Sequence, residues 1–313
     1  MEVDDVKVVG AQPGCRFDAA SPILFVHGMW HAAWCWDENF FDYFEQRGLA
    51  AHALNLRGHG GRLTGPRSLR WTSLSDYVQD LCDAVSLFQN KPILVGHSLG
   101  CLLVEICLER IRPPAAVLLA PTRHAIFRRS TVGFLQRHPW RCMELILRGS
   151  MRPVVATPTL GHEMLFAPSH PADQVQLYCS RLQEESFRVA IELILGIGPQ
   201  PTTSPSTRVL VLGAGADRAV SRPAVESVAA AHACHAEFFE GMGHDMMLDP
   251  NWEAVAGRIF EWLEQPAGPT PAVIPTPDRP ARGLGSNALP APGPGSPESP
   301  PGSNRCNRTP PVP

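Results

Sequence analysis

Three polar residues each follow an apolar run. Ser98 sits in Gly96-His97-Ser98-Leu99-Gly100 after Pro92-Ile93-Leu94-Val95, and Asp217 closes Gly213-Ala214-Gly215-Ala216-Asp217 after Arg208-Val209-Leu210-Val211-Leu212. His244 lies in Glu240-Gly241-Met242-Gly243-His244-Asp245, after a run ending near Phe239. A serine hydroxyl is a weak nucleophile near neutral pH, so an imidazole must take its proton and a carboxylate must hold that imidazole in the right tautomer. Ser98, Asp217 and His244 supply these three types, in that chain order. The Gly-x-Ser-x-Gly frame also meets a steric need. A serine held on a sharp strand-to-helix turn tolerates only small residues two positions away, which the glycines at 96 and 100 provide. The plain alternative is a glycine-bounded turn in an ordinary strand-to-helix connection, so the surrounding elements must decide.

An attacked carbonyl develops negative charge that needs preorganised donors. His27-Gly28-Met29-Trp30 follows the run Ile23-Leu24-Phe25-Val26 and offers the Met29 backbone N–H; Leu99, the residue after Ser98, offers a second. Trp30 and His31 stand either at the entrance of such a site or in the packing of that loop. Competing assignments are weaker. Asp245 and Asp249 follow His244 too closely to approach the far side of its ring, and Asp249-Pro250 reads as a helix start. His27 reads as a loop-organising hydrogen bonder, and Cys101, one helical turn after Ser98, as a small packing residue.

Bringing such groups to one edge calls for parallel strands, because open α/β sheets bind ligands outside the carboxyl ends of their strands. From about residue 6 to 264 short β-rich runs alternate with longer amphipathic ones, which predicts an α/β fold with a mostly parallel sheet flanked by helices. Strands are expected at 23–26, 51–56, 93–95, 116–119, 208–212 and 236–239, and helices near 37–47, 73–89, 99–111, 222–233 and 251–264. Thr72-Ser73-Leu74-Ser75-Asp76 can cap the second helix. Val6, Val8 and Val9 can add an antiparallel edge. The alternation stops between about 122 and 200, where Phe127, Phe134, Trp140, Met143, Ile146 and Met164 recur at helical spacings, which predicts a helical insertion. Phe127, Trp140 and Met164 are its candidate pocket residues for a greasy acyl or aromatic substrate; packing the insertion onto the sheet would ask for the same spacing.

The 313 residues can bury a substantial core, read as one domain over 1–264 and a tail over 265–313. Fifteen of the 32 prolines fall in the last 49 residues, so that tail is expected to be disordered. Its Pro277-Asp278-Arg279-Pro280 and Pro297-Glu298-Ser299-Pro300 have the spacing of weak polyproline ligands, a spacing that arises readily in so proline-rich a segment. A net charge of −3 leaves no large basic excess for nucleic acid or an anionic membrane. The start Met1-Glu2-Val3-Asp4-Asp5 lacks a basic-then-apolar signal, and no run approaches ~20 apolar residues. The chain is therefore expected to be cytoplasmic, without an integral membrane segment. Nine cysteines stand without Cys-x-x-Cys or zinc-site spacing, so no metal site is expected.

His27-Gly28, Arg57-Gly58-His59-Gly60, Gly96-His97-Ser98-Leu99-Gly100, Asp217 and Gly243-His244, in this order and at these separations, resemble the α/β-hydrolase fold superfamily over roughly residues 6–264. The segment from His27 to Trp36 also resembles the corresponding loop of plant methylesterases, hydroxynitrile lyases and related bacterial esterases. Two positions depart from the pattern: Asn55, where many relatives carry Asp, and Met29, bulkier than the small residue common after His27-Gly28. The resemblance implies an α/β-hydrolase fold with a cap inserted before the acid-bearing strand. It implies a serine hydrolase that needs no cofactor and cleaves carboxylic esters, thioesters or acyl lipids, with a small-molecule ester or acyl compound as its partner. A hydrolase-fold receptor, or an acyltransferase or lyase using the same triad, are the alternatives.

Overall fold

Short apolar runs such as Ile23–Val26 and Ile93–Val95 are buried on both faces, as parallel strands covered by helices must be. The computed structural model describes residues 7–10, 21–62, 64, 68–204 and 206–265. Val6, residues 266–313 and both polyproline-like segments lie outside the described residues.

In chain order the elements begin with β1 (Lys7–Gly10), β2 (Ile23–Val26), α1 (Trp34–Asp37), α2 (Phe40–Glu45), β3 (Ala51–Asn55), α3 (Leu74–Ser86), β4 (Ile93–His97), α4 (Leu99–Ile111) and β5 (Ala115–Leu119). The insertion follows as α5 (His124–Arg137), α6 (Pro139–Arg148), α7 (Pro158–Leu165), α8 (Ala172–Arg181) and α9 (Phe187–Leu195). The chain then returns through β6 (Arg208–Ala214), α10 (Arg222–Ala231), β7 (Ala236–Phe239) and α11 (Trp252–Glu264).

The strands are ordered β1-β3-β2-β4-β5-β6-β7. All neighbours are parallel except β1, which pairs antiparallel with β3 through Val8 opposite Leu54. From β2 the chain steps to β3 on one side and then to β4 on the other. The order thus reverses between β2 and β4, which is where an open sheet leaves a crevice for a ligand.

Across the stretch near 37–47 expected to be one helix, the structure forms only α2, with the short α1 ending where that stretch begins. Asn39 separates the two at φ −138°, and its amide donates to the Met247 carbonyl at 3.0 Å, tying this bend to the loop after β7. Ser73 caps α3 as expected from sequence: its hydroxyl accepts from the Asp76 N–H, while the Asp76 carboxylate accepts from the Ser73 N–H. Beneath α1 and α2 the core is aromatic, with Phe25 stacked on Trp36 at 4.7 Å and Phe40 and Phe44 closing around Phe25.

Within 122–200 the described elements are helical, and polar side chains tie them to the sheet layer. The Tyr77 hydroxyl donates to buried Glu185 at 2.6 Å, the Leu74 N–H to Glu192 at 2.7 Å, and the Gln183 N–H to the Trp30 carbonyl at 2.8 Å. Among the described residues no helix is long and apolar enough to cross a membrane.

Candidate active site

The turn from β4 into α4 places Ser98 at φ 50°, ψ −111°, a conformation that L-residues rarely adopt. Neighbouring backbone holds it there: the Ser98 N–H donates to the Leu119 carbonyl at 3.0 Å, and the Ser98 carbonyl accepts from the N–H groups of Cys101 and Thr122. The flanking glycines are required by contact. A Cβ on Gly100 would lie 2.1 Å from the Val26 carbonyl oxygen, and one on Gly96 would lie 2.7 Å from the Gly100 backbone. Ser98 precedes the first turn of α4, whose free N–H groups and dipole favour negative charge.

The loop after β2 closes against this turn. A Cβ on Gly28 would sit 3.1 Å from the Ser98 Cβ, so Met29 follows a residue in contact with the serine, while Leu99 follows the serine itself. His27 organises the loop, its Nδ1 donating to the Gly28 carbonyl and its Nε2 accepting from the Leu56 N–H. Those two bonds fix a neutral ring, and burial, with His59 nearby, pushes its pKa well down. Asn55 accepts from the Ala33 N–H at 2.8 Å and packs against Gly60, whose φ is +59°. Arg57 forks onto fully buried Asp80, with its shortest bond at 2.6 Å, and so anchors the loop after β3.

Asp217 and His244 come from the ends of β6 and β7. The His244 Nδ1 lies 2.7 Å from Asp217 Oδ2, while Asp217 Oδ1 accepts from the N–H groups of Ala219 and Val220. Nδ1 therefore carries the proton and Nε2 is the nitrogen left to act as base. Burial alone would lower the His244 pKa; the charge and hydrogen bond of Asp217, with a contribution from Asp245, outweigh it and hold the pKa above the ordinary value. His97, inside the serine motif, donates from Nε2 to the His244 carbonyl at 3.0 Å and so joins the two loops. Burial, and then the His244 charge, push His97 down to about 3.

A second buried carboxylate stands beside this pair. Asp245 Oδ2 lies 3.0 Å from His31 Nε2, and His31 Nδ1 lies 2.8 Å from the Met29 carbonyl. A carbonyl only accepts, so His31 donates from Nδ1 to the Met29 loop and from Nε2 to the base-bearing loop. Burial would raise the Asp245 carboxyl; the charge and hydrogen bond of His31, then His97, more than offset this and hold it below the usual range. The pair joins residues 214 positions apart, and no local pattern in the sequence announces it.

Trp30, Phe127 and Met164 line one cavity of about 260 Å³, together with Phe134, Leu145 and Ile194. His31 and Trp140 do not line it: His31 is engaged by Asp245, and Trp140 faces outward from α6. Cys101 is buried, with its thiol donating to the Gly96 and Leu119 carbonyls, and burial raises its pKa well above the usual value. All cysteines among the described residues are free thiols.

The sequence profile of the alpha/beta hydrolase family matches residues 23–258. The chain belongs to the alpha/beta hydrolase family. Among curated proteins this chain is similar to probable esterase PIR7A of Oryza sativa, 36% identical over 107 residues, 33% of this chain and 40% of that protein. It is also similar to methyl jasmonate esterase 1 of Vitis vinifera, 35% identical over 89 residues, 28% of this chain and 33% of that one. The matched region thus spans well under half the length of these relatives. A thermophilic esterase from Thermogutta terrifontis has the same fold, with a TM-score of 0.59 at 18% identity over 82% of this chain and 92% of that one.

Proposed function

We propose that this alpha/beta hydrolase cleaves carboxylic esters through an acyl-enzyme on Ser98. The observation that carries the reading is the 2.7 Å bond between His244 Nδ1 and Asp217, on the same strand edge as a serine held in the strained elbow conformation. In this mechanism His244 Nε2 takes the Ser98 proton as Oγ attacks the ester carbonyl. The Met29 and Leu99 N–H groups bind the resulting oxyanion, which collapses as the alkoxide leaves with the proton from His244. Water then attacks the acyl-enzyme, giving its proton to His244, and the acid departs as Ser98 regains one.

The esterase names of PIR7A and methyl jasmonate esterase 1 support this reaction class. The cavity contributed by the cap is almost entirely apolar, which suits an uncharged acyl or alkyl group. The free thiols fit a reducing compartment such as the cytoplasm. A fluorophosphonate probe tests the reading directly. The wild-type protein is expected to label and Ser98→Ala is not; a wild-type protein that neither labels nor hydrolyses any p-nitrophenyl ester would refute it. Rates rising from acetate to medium-chain esters are expected if the apolar cavity takes the acyl group.

A further inference from the structure

The outer face of the insertion exposes side chains that a helix facing water ordinarily does not. On α6, Trp140 is 77% exposed, Met143 50%, Ile146 69% and Leu147 80%. At 3.6 residues per turn these four fall within an arc of about 120°. Val132 and Leu135 of α5 and Ile191 of α9 are exposed as well. Leu135, Ile146 and Ile191 also line the 260 Å³ cavity, so the apolar surface runs continuously into it. An exposed apolar patch of this kind marks an interaction site.

Charge indicates what covers it. Residues 124–148 hold five arginines and one carboxylate, Glu144, in a chain whose net charge is −3. Arg141 and Arg148 share Glu144, and Arg137 pairs with Glu163, while Arg128 and Arg129 are exposed beside Val132. Arg128, Arg129 and Arg137, with Arg218, line an open cleft of about 780 Å³ along α5. The apolar face is thus bordered by guanidinium groups. A second copy meeting it symmetrically would set these arginines against themselves. Residues 266–313 suit it no better, because they carry four arginines against Asp278 and Glu298.

We propose that the face formed by α5 and α6 docks the protein on the surface of an anionic phospholipid bilayer, with the cavity mouth turned toward the acyl layer. Trp140, Met143 and Leu147 enter the boundary between headgroups and chains, and the arginines meet lipid phosphates, their stems covering apolar surface on the way. The net charge of the whole chain conceals this because the positive charge is gathered on one face. Docking rests on the surface alone; taking an acyl ester from that layer rests on the esterase reading.

The test is sedimentation of the full chain, carrying Ser98→Ala, with phosphatidylcholine vesicles and with vesicles that also contain phosphatidylglycerol. Binding is expected to the anionic vesicles, at least about tenfold stronger than to phosphatidylcholine, and to weaken from about 0.1 M to about 1 M salt. Arg128→Gln with Arg129→Gln is expected to weaken it about 30-fold, from roughly a tenfold change per 1.4 kcal/mol and about 1 kcal/mol per arginine. Met143→Ser with Leu147→Ser is expected to weaken it at least tenfold. Introduced into the protein that retains Ser98, both double variants should still hydrolyse a soluble short ester at the unaltered rate, which shows that they are folded. Absence of lipid-dependent sedimentation, binding indifferent to phosphatidylglycerol, or full binding by either double variant would overturn the proposal. So would a dimer that Met143→Ser with Leu147→Ser dissociates, if no vesicle binding accompanies it. Failure of docking leaves soluble-ester hydrolysis and Ser98 labelling intact, whereas failure of the esterase reading abolishes those two and leaves sedimentation unaffected.

Discussion

Asp217→Asn changes one atom and is expected to reverse the tautomer of the base. Asp217 Oδ1 already accepts two backbone N–H bonds, from Ala219 at 2.7 Å and Val220 at 2.9 Å. An amide placed there must keep its oxygen on those donors, which leaves its NH₂ facing His244 Nδ1 where the carboxylate oxygen stood. Two donors cannot share that contact, so Nδ1 becomes the acceptor and the ring proton moves to Nε2, the nitrogen that must receive the serine proton. Turnover of a p-nitrophenyl ester is expected to fall about 10⁴-fold, equivalent to about 5.5 kcal/mol. Stability should change by only about 1–2 kcal/mol, since the three hydrogen bonds of this side chain persist and lose only their charge assistance. The pH profile gives a second readout. His244 must be neutral to act as base, so activity is lost as pH falls through its pKa, which Asp217 raises. Without the carboxylate the acid limb of residual activity is expected to shift to lower pH. A loss of less than about tenfold with an unmoved acid limb would refute the assignment of Asp217 as the orienting acid.

Ser98→Ala and His244→Ala are each expected to lose about 10⁶ in turnover, and their combination little more, as measured by steady-state kinetics on a soluble ester. Gly100→Ala places a methyl 2.1 Å from the Val26 carbonyl oxygen and is expected to cost at least about 4 kcal/mol or to prevent folding; a variant melting within a few degrees of wild type would contradict that packing. Asp245→Asn replaces the buried carboxylate held 3.0 Å from His31 Nε2 with a neutral amide and is expected to destabilise by about 1–3 kcal/mol, read from urea midpoints. The acid side of stability has a definite sign. His27, His52, His97, His124 and His170 have lowered pKa values when folded, and the unfolded chain binds protons at these sites that the native state refuses; His244, raised, opposes them. Stability should therefore decline as pH falls below about 6.5, toward about 3 in the case of His97, each site adding at most about 1.4 kcal/mol per pH unit. Urea midpoints that rise between pH 7.5 and 5 would contradict this.

Local chemistry is what the sequence could state. Gly96 marks the elbow because a Cβ there would meet the Gly100 backbone only four residues on, whereas Gly100 is required by Val26 of β2, and strand edges follow from short apolar runs. Asp217 and His244 are legible because each stands just past a short apolar run, the mostly buried β6 for Asp217 and the half-buried edge strand β7 for His244. Which face of a helix turns inward depends on neighbours distant in the chain. Trp140 and Phe127 have the same apolar character and similar spacing, yet α6 turns Trp140 to the outside while α5 and α9 enclose Phe127. The ring of His31 finds Asp245 only when the ends of β2 and β7 are brought to one rim, because the contact is made by two loops that share no sequence register. Composition, likewise, fixed a net charge of −3, while the placement of α5 and α6 decided that arginines and apolar side chains would share one surface.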